Sequence, residues 1–183
     1  MLVVCPAGLI PMLLYRRRLP HWFPERSITF VTWRLAGALP AHAEESLDRG
    51  PFWLRDERAA KIVQDALEWG AAVRQSYDLY AWAIMPNHVH AVLEPHAPMP
   101  EIMRWLKGRT GRIINRELGR CGQAFWQDES YDHWVRSTEE LNEVIRYVES
   151  NPVRAGLAEA EDEWKWSSAG CRTDHKQRWS APQ

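Results

Sequence analysis

Residues 78–94 most restrict what this chain can fold into. Two β-branched and aromatic runs, Asp78 to Met85 (DLYAWAIM) and His88 to Glu94 (HVHAVLE), are separated only by Pro86-Asn87. Runs of this length and composition favour extended chain, and a Pro-Asn break between them predicts a hairpin or an adjacent strand pair. A third strand is predicted over Ser27 to Leu35 (SITFVTWRL), closed by Gly37 and Pro40. Leu54 to Arg74 sets Ile62, Ala66, Leu67 and Val73 on a helical period, with residues 41–52 as a loop before it. A second helix is predicted over 99–119, with Gly108 and Gly111 marking a kink or break in its middle. Phe125 to Val135 reads as a loop and a short strand. Ser137 opens a last helix with capping chemistry in Ser137-Thr138-Glu139-Glu140, expected to end near Ser150 because Pro152 disfavours helical geometry at Asn151. This alternation in 183 residues with 45% hydrophobic content predicts one α+β sandwich domain with a mostly antiparallel sheet.

Net charge is −1, which excludes a general polyanion binder, but the charge is unevenly distributed. Residues 1–40 carry five arginines against one glutamate, a local +4. Residues 101–120 carry Arg104, Lys107, Arg109, Arg112, Arg116 and Arg120 against two glutamates, again +4. Residues 137–163 hold eight acids against Arg146 and Arg154, a local −6. Arg109, Arg112, Arg116 and Arg120 follow helical spacing and are expected to stack along one face. Basic stretches offset by an acidic one suit a phosphate backbone gripped along one path, although a merely solvated arginine face has the same pattern. Eleven tryptophans are a heavy load; some must be core, and exposed ones beside arginine would offer stacking platforms for unpaired bases. Three cysteines without CxxC spacing argue against a disulfide framework or a cysteine zinc site and point to a reducing cytoplasm. The apolar start, Met1 to Leu14, has its arginines after the apolar stretch and is shorter than the ~20 residues a bilayer needs, so no membrane partner is expected.

Four residues are candidates to carry chemistry. The period of two along a strand puts His88 and His90 on one face, where two imidazoles can share a divalent metal. Tyr147 and Asn151, four apart, fall on one face of the last helix. An amide oxygen at the helix C-terminus is a neutral, hard ligand, so Asn151 would complete a mixed nitrogen and oxygen set suited to Mn²⁺ or Mg²⁺. Such an ion would leave positions for phosphate oxygens and act as a Lewis acid, with Tyr147 as nucleophile. The same spacings also describe a core-packed tyrosine and a helix-ending asparagine.

Met85-Pro86-Asn87-His88-Val89-His90 resembles the His-hydrophobic-His (HUH) signature of single-strand DNA transposases. Tyr147-Val148-Glu149-Ser150-Asn151-Pro152-Val153-Arg154-Ala155-Gly156-Leu157 resembles the tyrosine helix of the REP-associated tyrosine transposases. Phe125-Trp126-Gln127, Ser130 to Arg136, Trp164 to Ser168 and Leu19-Pro20-His21-Trp22 follow that family's pattern in the same order, so the likeness spans roughly residues 16–170. The resemblance implies a ferredoxin-like sandwich, with helices expected on one face of the sheet and both histidines beneath the tyrosine helix. Residues 1–15 would be an N-terminal extension and 171–183 a C-terminal tail. It further implies that His88, His90 and Asn151 hold Mg²⁺ or Mn²⁺, and that Tyr147 attacks single-stranded DNA near REP-like palindromic hairpins. The product would be a 5′-phosphotyrosine and a free 3′-OH. Arg104, Lys107, Arg109, Arg112 and Arg116 are the expected backbone contacts, and a homodimer is left open.

Two other readings compete. A domesticated, non-catalytic hairpin binder would have no need of all four residues His88, His90, Tyr147 and Asn151. A small metal-dependent phosphohydrolase would use the histidines alone and keep its activity in Tyr147→Phe.

Overall fold

The computed structural model describes residues 27–38 and 50–174. The expected extension over residues 1–15, the Arg16-Arg17-Arg18 run, the Leu19–Trp22 segment and most of the 41–52 loop lie outside the described residues.

The elements run β1 (Thr29–Leu35), α1 (Glu57–Ala72), β2 (Tyr77–Ile84), β3 (His88–Pro95), α2 (Met99–Glu117), β4 (Trp126–Trp134), α3 (Thr138–Arg154) and α4 (Ser168–Asp174). Short 3-10 turns at Trp53–Arg55 and Glu161–Glu163 lead into α1 and follow α3. The four strands form one antiparallel sheet in the order β2-β3-β1-β4. Strand-helix-strand-strand-helix-strand with this order is the ferredoxin-like arrangement that the resemblance implies. β2 and β3 pair as the tight neighbours expected from the Pro86-Asn87 break, with Ile84 opposite Val89.

Helix ends follow local chemistry. Asp56 caps α1, its carboxylate accepting from Arg58 N at 2.9 Å. Ser137 caps α3 by accepting from Glu140 N at 3.1 Å, as its sequence predicts. Glu140 also accepts from Arg136 N and sits 2.8 Å from His133 Nε2, which ties the start of α3 to the end of β4.

Alternation splits the sheet into two different faces. Val31, Trp33 and Leu35 of β1, with Val89, Ala91 and Leu93 of β3, are buried against α1 and α2. A register shift between Leu79 and Ala81 lets Leu79 and then Trp82 and Ile84 face this same side. Phe30, Ala81, Ala83 and Val92 point the other way and pack against Val144 and Val148 of α3. The α+β class and antiparallel sheet therefore stand, but helices do not occupy one face only. The physical reason is that the second face also carries apolar residues, Phe30, Ala81, Ala83 and Val92, which need a cover of their own.

Three further differences have local causes. α2 is continuous through Gly108 and Gly111. A Cβ at Gly111 would come within 3.3 Å of Phe125 and Trp126, so that glycine marks close helix–strand approach rather than a kink. Within Phe125 to Val135, Trp126–Trp134 form the nine-residue strand β4, because pairing with β1 from Thr29 to Leu35 overrides its weak strand propensity. α3 continues past Ser150 to Arg154 with Pro152 inside it. Proline removes one i→i−4 hydrogen bond, but the turn keeps others: Ala155 N donates to Asn151 O at 3.0 Å and Leu157 N to Pro152 O at 2.9 Å. Asn151 Nδ2 also donates to Tyr147 O at 2.7 Å, holding the turn helical.

The open edge of β2 is covered by the segment after α3. Ile84 N donates to Trp166 O at 2.8 Å, and Ser168 Oγ donates to the buried carboxylate of Glu149 at 2.7 Å. Among the described residues, no helix is long and apolar enough to cross a membrane.

Candidate active site

The face beneath α3 carries polar groups in its middle. β1 places Thr32 opposite His90 and Arg34 opposite His88. On the other side of β1, Tyr131 of β4 lies opposite Thr32, and His133 opposite Phe30. Strand period alone predicts that His88 and His90 share a face; the sheet adds which neighbours they meet.

The two imidazoles converge, His88 Nε2 lying 3.0 Å from His90 Nε2. Each ring is held from its far side. His88 Nδ1 is 2.6 Å from Asn87 Oδ1, and His90 Nδ1 is 2.7 Å from Thr32 Oγ1. The amide oxygen of Asn87 only accepts, so His88 carries its proton on Nδ1 and presents a lone pair at Nε2. Without a cation, His90 satisfies that lone pair by donating from Nε2 while Thr32 donates to its Nδ1. If a cation replaces the shared proton, His90 moves its proton to Nδ1 and the Thr32 hydroxyl accepts instead. A hydroxyl can play both parts, so the chain Asn87–His88–His90–Thr32 stays satisfied in either state.

Burial holds both imidazoles neutral. His88 is pushed down to about 3, first by desolvation and then by the Arg34 charge. His90 lies well below the ordinary histidine value because of burial, then the neighbouring His88 and Arg34. A neutral imidazole is the form that ligates, and two nitrogens 3.0 Å apart match neighbouring ligands of one ion with bonds of about 2.1 Å. The donor set therefore fits a divalent cation. Among the described residues, no group of three or more histidine, cysteine, aspartate or glutamate side chains surrounds such a position.

Tyr147 comes down onto this pair from α3. Its half-buried ring lies 6.0 Å from the His90 ring at 71° and 5.9 Å from Phe30 at 89°, both edge-on. The Arg154 guanidinium sits 5.3 Å from the centre of the Tyr147 ring. Asn151 follows one turn on, its Nδ2 bound to Tyr147 O, so Oδ1 is the atom left to act as an acceptor. The Tyr147 ring and the histidine pair thus meet within a single chain. Tyr131 stands close by; burial raises its pKa above the usual tyrosine value, with Asp132 and Tyr147 adding to the effect.

The expected backbone contacts do not form one stripe. Arg104, Lys107 and Arg112 line a groove of about 740 Å³ between α2 and the start of β4. Lys107 Nζ donates to Asp128 O at 2.8 Å across it. Arg109 instead lies 5.7 Å from the Trp69 ring on α1, and Arg116 pairs with Glu117 at 3.4 Å on the exposed side. Arg120 falls beyond the helix, where Gly119 turns the chain at φ +64°, and it covers Trp53 at 4.1 Å. Helical spacing predicted four aligned guanidinium groups; the helix ends before the last, and an aromatic neighbour draws the first aside. Ser130 of β4 lines the groove while Tyr131 points to the opposite face, so this edge strand separates groove from site.

Sequence reasoning did not single out Thr32, Asn87 or Arg34 as members of the site. Alternation along β1 puts Thr32 and Arg34 on one face, but nothing local reveals that β1 pairs with β3.

Residues 55–151 match the family model described as transposase IS200 like. A REP-associated tyrosine transposase of Escherichia coli (strain K12) is 25% identical over 93 residues, covering 50% of this chain and 54% of that protein. The chain thus aligns with about half the length of that relative. A second relative, from Haemophilus influenzae, is 23% identical over 135 residues, 63% of this chain and 74% of that protein. The solved structure of a REP-associated tyrosine transposase bound to a REP hairpin superposes with a TM-score of 0.65 at 18% identity, covering 93% of each chain. That likeness is one of fold.

Proposed function

The chain belongs to the IS200-like transposase family, and from that premise we propose that it cuts and rejoins single-stranded DNA with Tyr147 as nucleophile. His88, His90 and Asn151 hold Mg²⁺ or Mn²⁺ in this reading. The substrate is DNA carrying hairpin-forming palindromes of REP type, the ligand class of the superposed relative. The observation that carries the proposal is the Tyr147 ring packed on His90, whose Nε2 faces that of His88.

The chain's own groups divide the work. Asn87 and Thr32 fix the two imidazoles so that both Nε2 atoms point to one place. When bound, the cation supplies Lewis-acid polarisation of a phosphate oxygen. The Tyr147 oxygen attacks phosphorus and loses its proton to solvent; the Tyr–O–P bond forms as the P–O3′ bond breaks, and the leaving oxygen takes a proton. A phosphotyrosine ester conserves the bond energy, so the reverse attack by a 3′-OH rejoins DNA without ATP. Arg104, Lys107 and Arg112 bind backbone phosphates in the groove beside β4, and Arg109 and Arg116 add positive charge on the outer side of α2. A strand crossing the β4 edge would join groove to site.

Incubating the protein with Mn²⁺ and hairpin oligonucleotides should give a covalent adduct on a denaturing gel, mapping to Tyr147 by mass spectrometry. Tyr147→Phe should abolish both adduct and cleavage. Cleavage surviving in Tyr147→Phe would replace this reading with hydrolysis lacking a covalent step.

A further inference from the structure

We propose that Arg34 is a catalytic residue of this reaction: its guanidinium holds the non-bridging oxygens of the phosphoryl group that becomes joined to Tyr147. The inference rests on the covalent reading given above.

Arg34 stands in register with His88, two residues along β1 from Thr32, whose hydroxyl touches His90. Alternation therefore aims it at the same face, beneath α3, where it is half-buried. Its charge is felt by both imidazoles, and it lies within electrostatic reach of the Tyr147 hydroxyl. A phosphoryl group on that oxygen would fall inside the same reach. Burial lowers the Arg34 pKa from a value so high that the group stays protonated at neutral pH, and Tyr147 offsets part of that effect.

A guanidinium beside two imidazoles opposes the binding of a cation there, whereas an anionic phosphodiester is attracted to both the guanidinium and the cation. The planar fork of arginine matches two phosphate oxygens at once. Arg154 is a weaker candidate, since it is exposed and its guanidinium covers the ring face of Tyr147. The step itself is unchanged: Arg34 neither gains nor loses a proton while the Tyr–O–P bond forms and P–O3′ breaks.

The test compares Arg34→Ala with the unsubstituted protein in single-turnover adduct formation, on an ordinary oligonucleotide and on one with a neutral methylphosphonate at the cleaved linkage. Arg34→Ala should be slower by about a hundredfold on the phosphodiester, in the range for losing one transition-state donor. On the methylphosphonate the deficit should shrink to about threefold or less, because the charge that Arg34 neutralises is gone. Mn²⁺ binding to the DNA-free variant, followed by electron paramagnetic resonance, should be unchanged or tighter. An equal deficit on both substrates, no deficit on the first, or Mn²⁺ binding weakened more than about tenfold would overturn the assignment. Arg34→Lys serves if the alanine variant does not fold, and should recover part of the phosphodiester rate. Failure of the unsubstituted protein to form any adduct would instead remove the covalent reading beneath the inference.

Discussion

Thr32→Val removes one oxygen from the buried chain of hydrogen bonds and keeps the side-chain shape. The Thr32 hydroxyl is 2.7 Å from His90 Nδ1, and both residues are buried. In the metal-free protein the substitution leaves Nδ1 without its partner, which costs about 1–3 kcal/mol of stability. The loss for cation binding has a different origin. Without Thr32 as acceptor, nothing favours the tautomer with the proton on Nδ1, and the affinity for Mn²⁺ should fall about 10–100-fold. The two effects separate experimentally: urea unfolding in chelator reads the first, and Mn²⁺ titration of the folded protein reads the second. Thr32→Ser keeps the hydroxyl and should restore most of the affinity while still losing a methyl group from the core. Unchanged Mn²⁺ affinity in Thr32→Val would refute the idea that this hydroxyl sets the His90 tautomer.

Three other outcomes follow from the geometry. Gly70→Ala would drive a Cβ into the hydroxyl of Tyr77, which donates to Leu67 O at 2.9 Å, so thermal or urea unfolding should show a loss of about 1–3 kcal/mol; Gly108→Ala, with nothing within 4 Å, should instead gain up to about 1 kcal/mol, and equal effects would contradict the packing described. His88 is pushed down to about 3 in the folded protein, so the unfolded chain takes its proton first. Its contribution to stability is complete above about pH 6.5 and declines as pH falls from there towards 3, by at most about 1.4 kcal/mol per unit; metal-free denaturation across this window should show a slope that His88→Gln flattens. Replacing Arg104, Lys107 and Arg112 together by Ala should lower the slope of log affinity against log salt for hairpin DNA by about two to three, and more than the pair Arg109→Ala and Arg116→Ala; an unchanged slope would dissociate the groove from the DNA backbone.

Much of the frame was legible along the chain because its causes are local. Punctuated β-branched and aromatic runs announced β1, β2 and β3, Ser137 announced the start of α3, and the i, i+4 spacing put Tyr147 and Asn151 on one helical face. The misreadings arose where a partner overrode local preference. β4 has polar, weakly extended residues, yet pairing with β1 makes it a strand of nine. Pro152 reads as a stop, yet one lost donor at the final turn does not end α3. Gly111 reads as a weak point, yet the closeness of Trp126 is what requires it.

By itself the sequence determined which side chains are candidates for the chemistry, since His88, His90, Tyr147 and Asn151 are picked out by residue type and by spacings that strand and helix periods translate into faces. Only the tertiary structure decided that the tyrosine ring meets His90 from above the sheet, that Asn87 and Thr32 orient the imidazoles, and that Arg34 stands beside them. Those relations join residues as much as 58 positions apart, from Thr32 to His90. Backbone periodicity acts over a few residues, whereas strand order and the burial of two apolar sheet faces are settled by the whole chain.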